Sequence, residues 1–289
     1  KIIKDAHQNA EPGLLFWDRQ HLYSTSSLYP KYKNHSTNPC SEIAMQGGDS
    51  CRLMAINLLS FVNDAFTAKA KFDFEKFFEV VYEGMRLMDD LVDLELESVE
   101  KIIAKIKQDK EPDFIKKCEL DTWELLLENG KKGRRTGLGF TALADCIAAL
   151  GLKLDSEDAL LKIDAIMRIK CQAEFDCSID MAIERGAFNG FDIYTENQSE
   201  FVKMLNYEFP DLYERMMEFG RRNVSISTVA PTGTLSILSQ TSSGIEPVYL
   251  INYTRRRKIT AEKNEADFKD ELGDLWQEYQ VQHHGFKLW

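Results

Sequence analysis

Between Phe72 and Leu96 the apolar residues recur at helical spacing. Phe74, Phe77, Phe78, Val81, Met85, Met88 and Val92 fall on one stripe, the pattern of a helix with one face against a core. Further helices are predicted at roughly 98–107 and 118–128, near Thr141–Leu150, over Asp158–Arg185 and over about Gln198–Phe219. The apolar run Gly13-Leu14-Leu15-Phe16-Trp17, after a Pro-Gly turn, reads as a strand. So does Val224–Ala230, where apolar and small polar residues alternate until Pro231, and so does Val248–Tyr253. Residues 24–50 are rich in Ser, Pro, Asn, Gly and Tyr and show no period. A long irregular stretch of that kind inside a compact domain usually carries function. Strands alternating with helices predict an α/β architecture with largely parallel strands. No repeat, low-complexity tract or linker interrupts the chain, so residues 1–289 are expected to form a single domain.

Composition narrows the classes. The 289 residues are 44% hydrophobic and 29% charged with a net charge of −11. That balance is globular and argues against a general nucleic-acid or membrane-surface binder; an anionic ligand would need a local pocket. No run of about 18 apolar residues suggests a transmembrane helix, and no secretory signal opens the chain. Both ends are abrupt and there is no initiator Met, so a fragment is expected. With no secretion signal, reduced thiols and a cytoplasmic location are the expectation. Of the six cysteines, Cys146, Cys171 and Cys177 sit among helical apolar positions and read as small buried hydrophobes. Cys118, among lysines, reads as incidental. No CxxC or Cys/His spacing supports a metal site. Cys40 and Cys51 lie in loop-like sequence.

The string Asn38-Pro39-Cys40-Ser41-Glu42 has two readings. In extended backbone, positions i, i+2 and i+4 share a side, which sets an amide, a thiol and a carboxylate on one face: a sulfur centre with a hydrogen-bonding anchor and a general base. The other reading is a turn with an incidental cysteine. The segment Val229–Ile237, centred on Pro231-Thr232-Gly233-Thr234, also has two. Backbone N–H groups and hydroxyls at a strand-to-helix turn make an anion site, while a plain helix start uses the same residues.

Eleven residues after Cys40 comes Cys51, and here the sequence resembles a known family. NPCSE with a second cysteine at that interval is similar to the active-site loop of ribonucleotide reductases. The resemblance continues in order through EPGLLFWDR (11–19), GRRTGLGFTALADCIAALG, APTGTLSI and SSGIEPVYLINYTRR, across essentially the whole chain. It implies part of a ten-stranded α/β barrel with a central finger loop, this chain supplying roughly the second half. It implies that Cys40 is the thiyl-radical residue, that Glu42 takes the 3′-hydroxyl proton, and that Asn38 orients the ribose, within a loop whose residues Pro39 and Ser41 also line the substrate. Cys51 matches one cysteine of the reducing dithiol; the other lies far upstream in the family, and none of the remaining four cysteines sits in its motif. Pro231, Thr232, Gly233, Thr234 and Leu235 match the segment that holds substrate phosphates. An enclosed cavity around the Cys40 sulfur is expected, because a sulfur radical must be kept from side reactions.

The form of the loop is closest to the adenosylcobalamin-dependent class. The alternative is a class I large subunit, which binds no such cofactor and receives its radical from a metal-containing partner subunit. Implied partners are a ribonucleoside di- or triphosphate, a thioredoxin-like or other dithiol, the amino-terminal part of the same enzyme and, in a homodimer, a second copy. A split or truncated piece, inactive alone, is a further alternative, expected to show exposed apolar surface.

Other features have plainer readings. Asp89, Asp90 and Asp93 form a DDxxD pattern that could hold magnesium, but no second aspartate-rich helix accompanies it, so a solvated face or pairing with basic neighbours is expected. Arg134-Arg135 and Arg255-Arg256-Arg257-Lys258 read as solvated strand ends or ion-pair partners, with nucleotide or subunit contact as the alternative. Gly137-Leu138-Gly139 is too short for a dinucleotide fingerprint. His283-His284 reads as surface. Gly244-Ile245-Glu246-Pro247 matches a family block near the substrate but takes no chemical role.

Overall fold

A computed structural model describes residues 1–259 and 266–289. The chain divides into two compact units, each assembled from three separated segments.

The first unit comprises Lys1–Leu53, Val81–Leu138 and Cys171–Thr228. Its frame is helical. The helix Phe74–Gln108 contributes its part from Val81 onward, and Met85, Met88 and Val92 of the predicted stripe are fully buried. Asp113–Gly133 follows and ends on Arg134 in the left-handed region, φ 48°. From Cys171 onward the helix Glu157–Arg185 buries Phe175, Cys177, Ile179 and Met181. In the irregular stretch 24–50, Tyr29 and Tyr32 pack edge-on against Phe188, with ring centroids 5.1 and 5.7 Å apart, so the loop carries its own aromatic anchor. Backbone bonds tie Thr136 to Ser225 and Leu138 to Ile226 around a parallel bridge from Leu138 to Ser227.

The second unit comprises Met54–Val80, Gly139–Lys170 and Val229–Trp289. Phe61 and Phe72 pack on Phe77, centroids 5.1 and 5.2 Å away, beside the hairpin that pairs Val62 with Phe72. Short helices run over Leu143–Ala149 and Gly233–Ser239. A three-stranded antiparallel sheet joins Asn252–Ile259, Leu275–Gln282 and Phe268–Lys269 in the order first, central and last: Leu275–Gln282 lies in the middle.

Mixed helix and strand agree with an α/β chain, but several expectations need correction. Gly13–Phe16 forms no strand: Leu14, Leu15 and Phe16 are exposed, and Trp17 opens a helix to Tyr23. A strand needs a neighbour to satisfy its backbone, and none of the described strands pairs with this run. The helices expected at Phe72–Leu96 and 98–107 are one, because no breaker separates them. That over 198–219 is two, Glu200–Glu208 and Pro210–Phe219; Pro210 pushes Phe209 to φ −141°, ψ 68°, outside helix. Val224–Ala230 keeps only the bridge at Ser227. The strand placed at Val248–Tyr253 starts at Asn252 and runs on through the basic cluster to Ile259. The two hairpins and the three-stranded sheet are antiparallel, whereas the bridge from Leu138 to Ser227 is parallel.

Candidate functional site

Asn38–Ile43 is the connection of a small antiparallel hairpin in which Ser36 pairs with Met45 and Thr37 with Ala44. Asn38 organises it. Its carbonyl accepts from Ser41 N at 3.0 Å, its side-chain Oδ1 accepts from Ile43 N at 3.0 Å, and its own N–H donates to Ile43 O at 3.1 Å. Ser41 takes φ 67°. Residues 38–41 are therefore a tight turn, and the extended reading with Asn38, Cys40 and Glu42 on one face is corrected: a side-chain oxygen bonding its own backbone outcompetes extension. Pro39 and Ser41 are exposed, and Asn38 and Glu42 are half-buried.

Cys40 is exposed. The expected enclosed cavity around its sulfur is not formed by the described residues of this chain, because the residue caps a turn on a sheet of only two strands. Cys51 is also exposed. Even so, partial desolvation pushes its thiol above the ordinary value, with the negative charge of Glu42 and the Cys40 thiol adding to the effect and Arg52 opposing it. Cys40, Glu42 and Cys51 thus lie within electrostatic reach of one another.

The loop is held by buried charge. Arg135 donates from Nε to Asp49 Oδ2 at 2.8 Å, from Nη2 to Gln46 Oε1 at 2.5 Å and from Nη1 to the carbonyl of Ala44 at 3.2 Å. Arg52, next to Cys51, donates to Glu95 and, at 2.9 Å, to the carbonyl of Arg135. Thr228 Oγ1 donates to the carbonyl of Glu42 at 2.8 Å. Gly137 lets these pieces meet, for a Cβ there would lie 3.0 Å from Thr228 Cγ2 and 3.1 Å from the Arg52 carbonyl oxygen.

Beside the loop is a cavity of about 270 Å3 whose walls include Gln20, Asn34, Glu42, Phe175, Phe201 and Ser225. Two buried oxygens, Gln20 Oε1 and Glu42 Oε2, have no hydrogen-bond partner among the described residues. A buried acceptor left unpaired is costly, so both are available to a ligand that donates. Asp49, Thr228 and Gln20 were not singled out in the sequence. The partners of Asp49 and Thr228 lie 86 and 186 positions away, and no local pattern marks them.

In the second unit the candidate phosphate turn is built differently from the expectation. Thr232 is buried with φ 48°. Its hydroxyl donates to Thr141 Oγ1 at 3.0 Å and accepts from Gly244 N at 2.8 Å, so it is committed to the fold. Pro231, Gly233, Thr234 and Leu235 are exposed, and a Cβ at Gly233 would meet nothing within 4 Å. The backbone at the start of helix Gly233–Ser239 is thus open to a ligand.

The remaining singled-out residues are structural. Asp89 is buried and bonds Arg134 Nε at 2.7 Å and Asn223 Nδ2 at 2.9 Å, as expected of carboxylates pairing with basic neighbours. Arg134 and Arg135 are buried ion-pair partners and not solvated strand ends. Cys146 and Cys177 are buried, whereas Cys171 is only partly so. His283 is half-buried and not at the surface: its Nε2 sits 2.9 Å from both oxygens of Asp145.

The family described as the ribonucleotide reductase barrel domain matches residues 1–282, and the chain belongs to it. Among individual proteins, it is 30% identical over 254 residues to a vitamin B12-dependent ribonucleoside-diphosphate reductase of Mycobacterium tuberculosis, covering 88% of this chain and 30% of that protein. It is equally similar to the enzyme of that name from Thermoplasma acidophilum, covering 88% of this chain and 27% of the relative. A ribonucleoside-diphosphate reductase subunit alpha of Helicobacter pylori is 25% identical over 261 residues, 81% of this chain and 29% of that one. The chain thus spans under a third of the length of these relatives. Among solved structures, the Actinobacillus ureae class Id ribonucleotide reductase alpha subunit superposes with a TM-score of 0.55 at 19% identity, over 85% of this chain and 38% of that one, a likeness of fold.

Proposed function

We propose that this chain carries the radical-cysteine loop of an enzyme that reduces ribonucleotides to 2′-deoxyribonucleotides. The observation that carries the reading is the grouping of Cys40, Glu42 and Cys51, with a buried Glu42 oxygen free to accept a proton or hydrogen bond. In this scheme the Cys40 thiyl takes the hydrogen from C3′ and Glu42 takes the 3′-hydroxyl proton. The 2′-hydroxyl leaves as water. Two electrons and two protons come from a dithiol that includes Cys51 and ends as a disulfide, and Cys40 returns the C3′ hydrogen. Asn38, whose Oδ1 holds the turn, shapes the loop; Pro39 and Ser41 border the sugar. Backbone N–H groups of Gly233, Thr234 and Leu235, unpaired at a helix start, hold phosphate oxygens, with Pro231 and Thr232 setting the turn.

Adenosylcobalamin, as the names of several relatives suggest, supplies the radical when bound, and the exposure of the Cys40 sulfur fits the approach of so large a group. The Helicobacter relative, named as a subunit, favours a second reading in which a metal-containing partner subunit generates the radical. The proposed partners are otherwise a ribonucleoside di- or triphosphate, a thioredoxin-like dithiol, an amino-terminal portion of the enzyme and a second copy in a homodimer, acting in the cytoplasm. Among the described residues no helix is long and apolar enough to cross a membrane. Leu235, Ile237 and Leu238 are exposed on one short helix, which supports packing against a further segment and inactivity of the chain alone.

The test is complementation with an amino-terminal reductase half, followed by assay of deoxyribonucleotide formation with and without adenosylcobalamin. Activity lost in Cys40→Ser is expected. Unchanged activity in that variant refutes the proposal; turnover by the isolated chain overturns only the inactivity of the chain alone.

A further inference from the structure

The second unit contains a cavity of about 510 Å3 bordered by Ser236 and Ile237 of the helix that follows the turn at Pro231–Leu235. Its walls include Tyr253, Arg255, Val281, His283, His284 and Lys287. Among the described residues no carboxylate lines it, in a chain whose net charge is −11.

The sheet register explains why. Along the strand Asn252–Ile259, Arg256 is paired with Glu278 and Lys258 with Asp274, at 2.7 and 2.6 Å, while Arg257 donates to Gln277 at 2.8 Å. Arg255 lies opposite Tyr279 in the register and has no acidic partner there. No described carboxylate pairs with Lys287 either. The nearby Asp145 is already satisfied, bonded to His283 Nε2 and, at 2.9 Å, to the backbone N–H of Ser242.

Next to it is a second cavity, about 350 Å3, that shares Val248 and His283 and is walled by Phe66, Ile251, Phe286 and Trp289. Apart from Asp145 and His283 the side chains that line it are not ionisable. Cationic groups without counterions beside an aromatic compartment favour an anion attached to an apolar body.

We propose that these adjoining cavities bind a phosphate monoester with an aryl or other apolar group, the phosphate against Arg255 and Lys287 and the apolar group against Phe286 and Trp289. The inference is independent of the reductase reading.

The test uses the full chain, phenyl phosphate as probe and inorganic phosphate as comparison, read by NMR of the imidazole groups. The chain has five histidines, and only His283 and His284 line the larger cavity. The expected result is saturable movement of the His283 and His284 resonances at lower concentrations of phenyl phosphate than of inorganic phosphate, with His7, His21 and His35 unmoved. Arg255→Ala should weaken the effect about tenfold, as loss of one charge-assisted contact does, and Arg255→Lys should restore part of it. The proposal fails if the two resonances do not move, if both probes act at the same concentration, or if a folded Arg255→Ala, Lys287→Ala double variant responds unchanged.

Discussion

The carboxylate of Asp49 lies 2.8 Å from Arg135 Nε, and neither side chain is exposed to solvent. Burial lowers the Arg135 guanidinium from its ordinary pKa, while Asp49 opposes the shift. Removing the charge of Asp49 therefore strands a buried cation. Asp49→Asn is expected to destabilise the first unit by about 3–5 kcal/mol, read from the urea midpoint. A midpoint within error of the parent would show that the pair does not hold the loop.

Acid stability should depend on Asp89. Burial alone would raise its pKa, but the bond and charge of Arg134, with Arg222 and Asn223, hold it below the ordinary 3.8. A carboxyl with a depressed folded pKa contributes stability that is complete above the unfolded value and drains away as pH falls through the folded one. Asp89→Asn should be less stable at neutral pH and should show a flatter loss of stability below about pH 4. Parallel acid-unfolding curves for the two proteins would contradict this.

These two carboxylates also show where the sequence stops being informative. The stripe Phe77, Val81, Met85, Met88 was legible because helical periodicity is local, and all four are fully buried. The partners of Asp49 and Asp89 were not, because Arg135 and Arg134 are 86 and 45 positions distant; the sequence showed only that ion pairing was open to both arginines. The break at Pro210 follows from a local rule that the apolar pattern around it obscured. In the loop Asn38–Ile43 the residue types were legible while the backbone was not. Asn38 satisfies its own turn, a choice that an extended reading of alternate positions does not anticipate.

Two glycine substitutions should act oppositely. At Gly137 a methyl would press on the Arg52 backbone oxygen and on Ile43 Cδ1, each 3.1 Å away. Gly137→Ala should cost about 1–3 kcal/mol, as overpacking does. At Gly233 the methyl meets nothing within 4 Å, so Gly233→Ala should be neutral or stabilising by up to about 1 kcal/mol. If the turn there binds phosphate through its backbone, the same variant should weaken pyrophosphate binding while stability holds. Denaturation and titration calorimetry on the two variants separate these effects, and a destabilised Gly233→Ala would contradict the open geometry of the turn.

Cys51 offers the most direct reading of the candidate site. Its thiol is pushed above 9.0 by partial desolvation and then by Glu42 and Cys40. Only the thiolate reacts with alkylating agents, so the pH midpoint of Cys51 labelling by iodoacetamide should lie above that of an unperturbed cysteine. Removing the neighbouring negative charge in Glu42→Gln should lower the midpoint and speed labelling at mildly alkaline pH. Cys40→Ser should act in the same direction and less strongly, since Glu42 is the larger contributor. Labelling of Cys118, exposed on the helix Asp113–Gly133, should be unaffected and serves as the internal control. Site-resolved mass spectrometry over a pH series gives all three profiles. A Cys51 midpoint that does not move in Glu42→Gln would place the carboxylate too far from the sulfur to serve the chemistry proposed for the loop.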